Sequence, residues 1–260
     1  MAENVLYVLE DGVATLALNR PESLNSLDLP TVEALLAGAG RAVAERAAVL
    51  VLTGRGRAFS SGADLSAALD MVGADRQVDL GRAMRSHYNR LVQTLADLEI
   101  PVVAAVNGLA VGGGMSLALC GDIVIAARSA SFRQVFVDIG LIPDMGATWM
   151  VPRLVGRARA RGMALLGGAF SAEQARDWGL IWDVVDDAEL LPAAARVAQR
   201  LAGKSRQTLR GVRLALDAAV DNTLEEQLAY EAREQTKFGR LPAFAAAVTK
   251  FLGRGRRRGS

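Results

Sequence analysis

Short apolar runs alternate with amphipathic stretches through the first half of the chain, and amphipathic stretches alone dominate the second. Val5-Leu6-Tyr7-Val8-Leu9 and Val13-Ala14-Thr15-Leu16-Ala17-Leu18 flank Asp11-Gly12, which predicts a β-hairpin. Pro30 is placed to start a helix reaching about Arg46. Ala48-Val49-Leu50-Val51-Leu52-Thr53 is apolar on both faces, the pattern of a strand covered on both sides. Leu80, Met84, Tyr88, Leu91, Leu95 and Leu98 recur at spacings of three and four, the stripe of an amphipathic helix. Pro101 ends it before a second buried strand, Val102-Val103-Ala104-Ala105-Val106. The pattern then repeats as glycines (Gly112-Gly113-Gly114), a short helix, and the strand Ile123-Val124-Ile125-Ala126. From about residue 146 the β signal nearly vanishes, and helices are predicted over 157–166, 172–178, 190–202, 205–220, 224–238 and 242–252. The expected organisation is an α/β core over residues 1–195 with a helical region over 196–260 packed on it.

Composition narrows the function classes. At 51% hydrophobic and 22% charged over 260 residues, the chain can bury a sizeable core, the opposite of a disordered composition. A single cysteine, Cys120, excludes an internal disulfide and suits a reducing compartment. No apolar run approaches the roughly 20 residues of a membrane span, and Met1-Ala2-Glu3-Asn4 lacks the start of a signal peptide, so a cytoplasmic location is expected. The net charge is +2, but Arg254, Arg256, Arg257 and Arg258 cluster at the end; without them 26 basic residues face 28 acidic ones. A nearly neutral body argues against a nucleic-acid surface.

Two glycine-rich loops, each leaving a buried strand, stand out: Gly56-Arg57-Ala58-Phe59-Ser60-Ser61-Gly62-Ala63-Asp64-Leu65 and Asn107-Gly108-Leu109-Ala110-Val111-Gly112-Gly113-Gly114-Met115-Ser116. Such loops let a backbone approach a ligand closely, and the free amides of a helix start attract an anion or a developing oxyanion. Neither has the lysine of a phosphate loop, and Gly108-x-x-x-Gly112 has the wrong spacing for a dinucleotide fingerprint. Taken alone, the glycines are accounted for by tight helix–strand packing. The one histidine, His87, lies in the amphipathic helix, no cluster suggests a metal, and no G-x-S-x-G elbow exists. Ser60 and Ser61 read as loop-shaping residues. What remains is acid/base work by a carboxylate, without metal, with main-chain amides supplying the electrostatics.

At this point the chain resembles the enoyl-CoA hydratase/isomerase family, the crotonase superfamily. The resemblance rests on Leu18-Asn19-Arg20-Pro21-Glu22-Ser23-Leu24-Asn25-Ser26-Leu27, on the two glycine loops, on Cys120-Gly121-Asp122-Ile123 and on Gly140-Leu141-Ile142-Pro143-Asp144-Met145-Gly146-Ala147-Thr148, five pieces in order over nearly the whole chain. It implies a spiral of ββα turns with a helical C-terminal region that builds homotrimers, often paired into hexamers. It also implies an acyl-coenzyme A thioester as substrate, no further cofactor and no metal. The thioester oxygen would be held by the amides of Ala63 and Gly113. Asp64 and Leu65 would line the coenzyme side, and the backbone near Ser23 and Ser26 would meet the pantetheine and adenine. The family's C-terminal lysine for the coenzyme phosphate is missing; Lys250 or the arginine tail stands nearest to that role.

Hydratases of the family carry two glutamates around the substrate double bond. Carried over, those positions hold Ser116 and Phe136, which cannot act as that acid/base pair. Asp144 sits where several isomerase branches and a dehalogenase branch carry an acid. The resemblance therefore implies an enoyl-CoA double-bond isomerase working through a thioester enolate, with Asp144 moving the proton. Against it stands a plain N-cap for the helix beginning near Gly146. Asp138 is the competing base, and Asp122 reads as a turn-holding residue. Phe132, Phe136, Trp149 and Met150 either wall the acyl pocket or are ordinary core. The rival functions are hydratase, acyl-CoA hydrolase or dehalogenase chemistry on the same oxyanion hole, and a non-catalytic acyl-CoA-binding relative.

Overall fold

The structure, a computed structural model, describes residues 3–64 and 79–256. The chain divides into two compact units, residues 1–202 and 203–260. In the first, strands β1 (Val5–Glu10), β2 (Val13–Leu18), β3 (Val49–Gly54), β5 (Val102–Val106), β7 (Ile123–Ala127) and β10 (Asp183–Val185) form a six-stranded sheet in the order β1-β2-β3-β5-β7-β10. The β1–β2 hairpin is antiparallel and turns at Asp11 and Gly12, both at positive φ; the other neighbours are parallel. The parallel strands β3 and β5 are buried along almost their whole length, as their unbroken apolar sequence predicts.

A second sheet adds strands that the periodicity of the sequence does not mark. Strands β4 (Ala58–Ser60), β6 (Leu109–Val111), β8 (Ser131–Arg133) and β9 (Ala169–Ser171) form a four-stranded sheet in that order. Each has three residues, too few for a periodicity, and β4 and β6 lie inside the glycine loops. The chain thus leaves each long strand (β3, β5, β7) and enters a short one (β4, β6, β8) in the second sheet, which is the ββ half of a ββα spiral. Two side-chain amides hold the corners between the sheets. Asn25 Nδ2 donates to the carbonyls of Arg55 (2.9 Å) and Ala58 (2.7 Å), and the Gly54 amide donates to Asn107 Oδ1 at 3.0 Å. Gly108 is required there, since a Cβ would lie 2.2 Å from the Arg57 carbonyl oxygen.

Helices Leu29–Ala44, Asn89–Asp97 and Leu190–Ala202 present buried faces to the first unit's core. The first is capped by Asp28, which accepts from the Thr31 amide, and starts at Pro30 as expected. The helix Leu190–Ala202 buries Leu190, Ala193, Ala194 and Ala198 and belongs to the first unit. The second unit consists, among the described residues, of helices Arg206–Ala218, Leu224–Phe238 and Pro242–Arg256. The middle helix opens with a reciprocal Thr223–Glu226 capping box, and the Phe238 ring packs onto Gly211, where a Cβ would come within 2.3 Å of it.

Candidate active site

The two glycine loops meet. Gly62, at φ +89°, leaves room for the second loop: a Cβ there would stand 2.7 Å from the Val111 oxygen and 3.0 Å from the Gly113 nitrogen. In the same way a Cβ on Gly113 would lie 3.7 Å from the Ala63 nitrogen. The structure therefore brings the Ala63 and Gly113 amides to one junction. Ala63 pairs with Leu27 in a parallel bridge whose bonds run from Leu27 N to the Gly62 oxygen and from Asp64 N to the Leu27 oxygen, leaving the Ala63 N–H outside that ladder. Gly113 opens the helix Gly113–Leu119, so its N–H has no intrahelical acceptor.

Asp144 lies beside this junction, in the turn before the helix Ala147–Leu166, which kinks at Gly156. The next two residues, Met145 (φ +49°) and Gly146 (φ +82°), are left-handed, and the Met145 sulfur comes to within 2.9 Å of where a Gly113 Cβ would be. The helix is capped by Gly146 with no side-chain hydrogen bond, so Asp144 is not its N-cap. Asp144 Oδ1 is buried and has no partner among the described residues. Burial lifts its carboxyl from an ordinary 3.8 to about 6, with only its own main-chain N–H pulling the other way. A carboxyl poised near neutrality and free of side-chain partners can take up and return a proton.

The rival base is disposed of by its surroundings: Asp138 is half exposed and paired with Arg133 at 2.9 Å. Asp122 accepts from the Val102 amide at 2.7 Å and holds the start of β5. Ser116 is buried and its hydroxyl donates to main-chain oxygens. The Phe136 ring edge stands 3.6 Å from a would-be Gly112 Cβ, packed beneath the second glycine loop. Phe132 is core, stacked on Phe170; Trp149 is 54% exposed beneath the Arg153 guanidinium; the Met150 methyl approaches Gly146. His87 bonds to Ser86 and faces Glu33. Leu65, Arg257 and Arg258 lie outside the described residues, as do the side chains of Lys250, Arg254 and Arg256.

Two residues that sequence reasoning passed over complete the site. Arg20 reaches Asp28 (3.1 Å) and Asp64 (3.4 Å) and donates to the Ser26 oxygen (2.8 Å), while Ser26 Oγ donates to Asp64 at 3.0 Å. Ser26 is thus buried and its hydroxyl committed; Ser23 Oγ donates to the Arg20 oxygen at 3.2 Å. Tyr88, read only as part of an apolar stripe, closes a π-helical turn, Met84–Tyr88, and donates to the Leu27 oxygen at 2.7 Å. Burial, then the charges of Asp144, Asp28 and Asp64, push its phenol up to about 12. The asparagine-arginine-proline segment was a signal for Arg20; nothing in a helical stripe marks which member's hydroxyl reaches a main-chain carbonyl. A cavity of about 530 Å³ opens beside the Asp144 turn, with Gln134, Pro143, Ala147 and Val151 in its wall.

Among known proteins, the model of the enoyl-CoA hydratase/isomerase family matches residues 9–257. The chain is 46% identical to 1,2-epoxyphenylacetyl-CoA isomerase of Escherichia coli (strain K12), over 98% of this chain and 97% of the relative. It is 34% identical to crotonyl-CoA hydratase of Syntrophomonas wolfei, over 88% and 87%. Its fold is similar to the crystal structure of enoyl-CoA hydratase from Bacillus anthracis, with a TM-score of 0.89 at 29% identity, covering 96% of both chains.

Proposed function

Because the chain belongs to the enoyl-CoA hydratase/isomerase family, we propose that it isomerises an acyl-coenzyme A through a thioester enolate, with Asp144 as the acid/base group. The Ala63 and Gly113 amides receive the thioester oxygen. Asp144 takes a proton from the α-carbon of a 3-enoyl thioester, and the electrons pass through the conjugated system to the carbonyl oxygen as a dienolate. The same carboxyl then returns the proton to the γ-carbon, leaving a 2-enoyl thioester; no water, metal or further cofactor is consumed. Amides aimed at a developing oxyanion contribute about 2.7–4 kcal/mol each.

The observation that carries this reading is the buried Asp144 Oδ1, without a hydrogen-bond partner among the described residues, on a turn whose Met145 sulfur reaches the Gly113 position, with Ser116 and Phe136 where the resemblance places the hydratase glutamates. One base without a second acid suits proton shuttling and does not suit water addition. Similarity to an isomerase of 1,2-epoxyphenylacetyl-CoA favours a second reading of the substrate, in which the acyl group is an arene epoxide rearranged at the same carboxylate.

The test is deuterium exchange at the α-carbon across a panel of aliphatic and aryl acyl-CoAs in D₂O, for the wild type and Asp144→Asn. Exchange and isomerisation lost together in the variant are expected. Undiminished exchange in Asp144→Asn, or fast hydration of crotonyl-CoA by the wild type, sinks the assignment.

A further inference from the structure

We infer that Ser116 is a positioning residue: its hydroxyl ties the main chain of Asp144 to the helix that presents the Gly113 amide. This rests on the isomerase reading above and adds to it how the base is held. Asp144 Oδ1 has no partner among the described residues, so its direction comes through the backbone. That backbone is pinned at the Asp144 carbonyl, which accepts from Ser116 Oγ at 3.1 Å and from the Ala147 amide at 3.0 Å. Ser116 is 1% exposed, in the helix Gly113–Leu119, and shares its proton with the Gly112 oxygen at 3.3 Å. The Gly112 oxygen also accepts the Ser116 amide at 3.1 Å. One hydroxyl therefore bridges the loop that carries the oxyanion donor and the turn that carries the base. Without it, the Asp144 carbonyl keeps only the Ala147 amide, from its own helix, and the turn that carries the carboxyl loses its tie to the helix of Gly113. Displacements on the order of 1 Å in such a pair cost about a hundredfold in rate.

The experiment compares Ser116→Ala, Ser116→Cys and Ser116→Thr with the wild type and Asp144→Asn on an acyl-CoA that the wild type turns over. Ser116→Ala is expected to lower kcat roughly 10- to 100-fold with KM within about twofold, because the coenzyme grip is untouched. Ser116→Thr, which keeps the hydroxyl, recovers most of the rate; Ser116→Cys, near in shape and a weak donor, resembles Ser116→Ala and serves in its place if the alanine variant does not fold. Equal activity in folded alanine or cysteine and wild-type enzymes overturns the inference. So does a loss in Ser116→Thr as large as in Ser116→Ala. If Asp144→Asn keeps full activity the isomerase reading itself fails; if Asp144→Asn is dead and the Ser116 variants are not, only this inference does.

Discussion

The thioether sulfur of Met145 occupies the space that a side chain on Gly113 would need, 2.9 Å from where its Cβ would stand. Met145 is 2% exposed and left-handed, so the obstacle is the end of a flexible side chain on a constrained backbone. Gly113→Ala is accordingly expected to fold, with the sulfur pushed aside toward Asp144, and to lose roughly 10²–10³ in kcat as the amide leaves its place. Gly114 is different: a Cβ there meets the Ser60 carbonyl oxygen at 2.2 Å, and main chain cannot yield. Gly114→Ala is expected to unfold or to melt well below the wild type. Thermal melts and steady-state rates on the pair separate the two cases, and similar melting points for both would contradict this account.

In the proposed reaction Asp144 must be ionised to accept a proton, and burial lifts its carboxyl to about 6. The rate constant kcat/KM is therefore expected to rise with pH through about 6 and then level. Asp144→Asn removes that limb together with the activity, and Asp144→Glu, one methylene longer, keeps a limb at reduced rate. A profile flat from well below 6 upward would show that another group takes the proton.

The same burial has a stability consequence of definite sign. The folded-state value, about 6, lies above the ordinary 3.8, so the folded protein binds the proton more tightly than the unfolded chain. Stability falls as pH rises from about 3.8 to about 6 and is lower by a constant amount above that. Asp144→Asn is expected to raise stability at neutral pH, by on the order of 1–3 kcal/mol, at about 1.4 kcal/mol per unit. The gain disappears in acid, below the ordinary carboxylate range. Denaturant titrations of both proteins at the two pH values check it; a variant less stable at neutral pH refutes it.

The sequence reading reached the long strands, the helices beyond residue 171 and the glycine loops, because each is long enough for its period or its glycines to register. The short second sheet was out of reach: β4, β6, β8 and β9 have three residues apiece and are held by neighbours distant in sequence, Leu109 against Ser131 and Ser131 against Ser171. Asp144 was nameable from motif order, but that its Oδ1 is buried without a partner among the described residues is set by tertiary packing, which no motif records. Ser116 was legible only as the absence of a glutamate; that its hydroxyl finds a carbonyl 28 residues away is a matter of tertiary contact. Tyr88 shows the limit from the other side, since its spacing fits a core stripe and its hydroxyl nonetheless reaches the Leu27 oxygen.

Arg20 holds Ser26, Asp28 and Asp64 together, and its removal has a signature that simple loss of a surface charge lacks. Its guanidinium and the Asp28 and Asp64 carboxylates are each no more than 20% exposed, so the cluster is largely shielded from solvent screening. Arg20→Gln deprives both carboxylates of a cation and the Ser26 oxygen of a donor, and is expected to cost about 1–3 kcal/mol. Asp64 follows Ala63 directly and accepts from Ser26, so a loosened Asp64 loosens the segment that carries the Ala63 amide. Activity should therefore fall along with stability, with KM for the thioester rising. Adding Asp64→Asn to Arg20→Gln removes one of the carboxylates that the guanidinium had offset, so the double variant should be more stable than the sum of the single effects, with a coupling of about 0.5–3 kcal/mol. Denaturation of the four proteins at low and high salt tests it: a coupling that survives high salt is expected, and additivity within error would mean that Arg20 is only a surface cation.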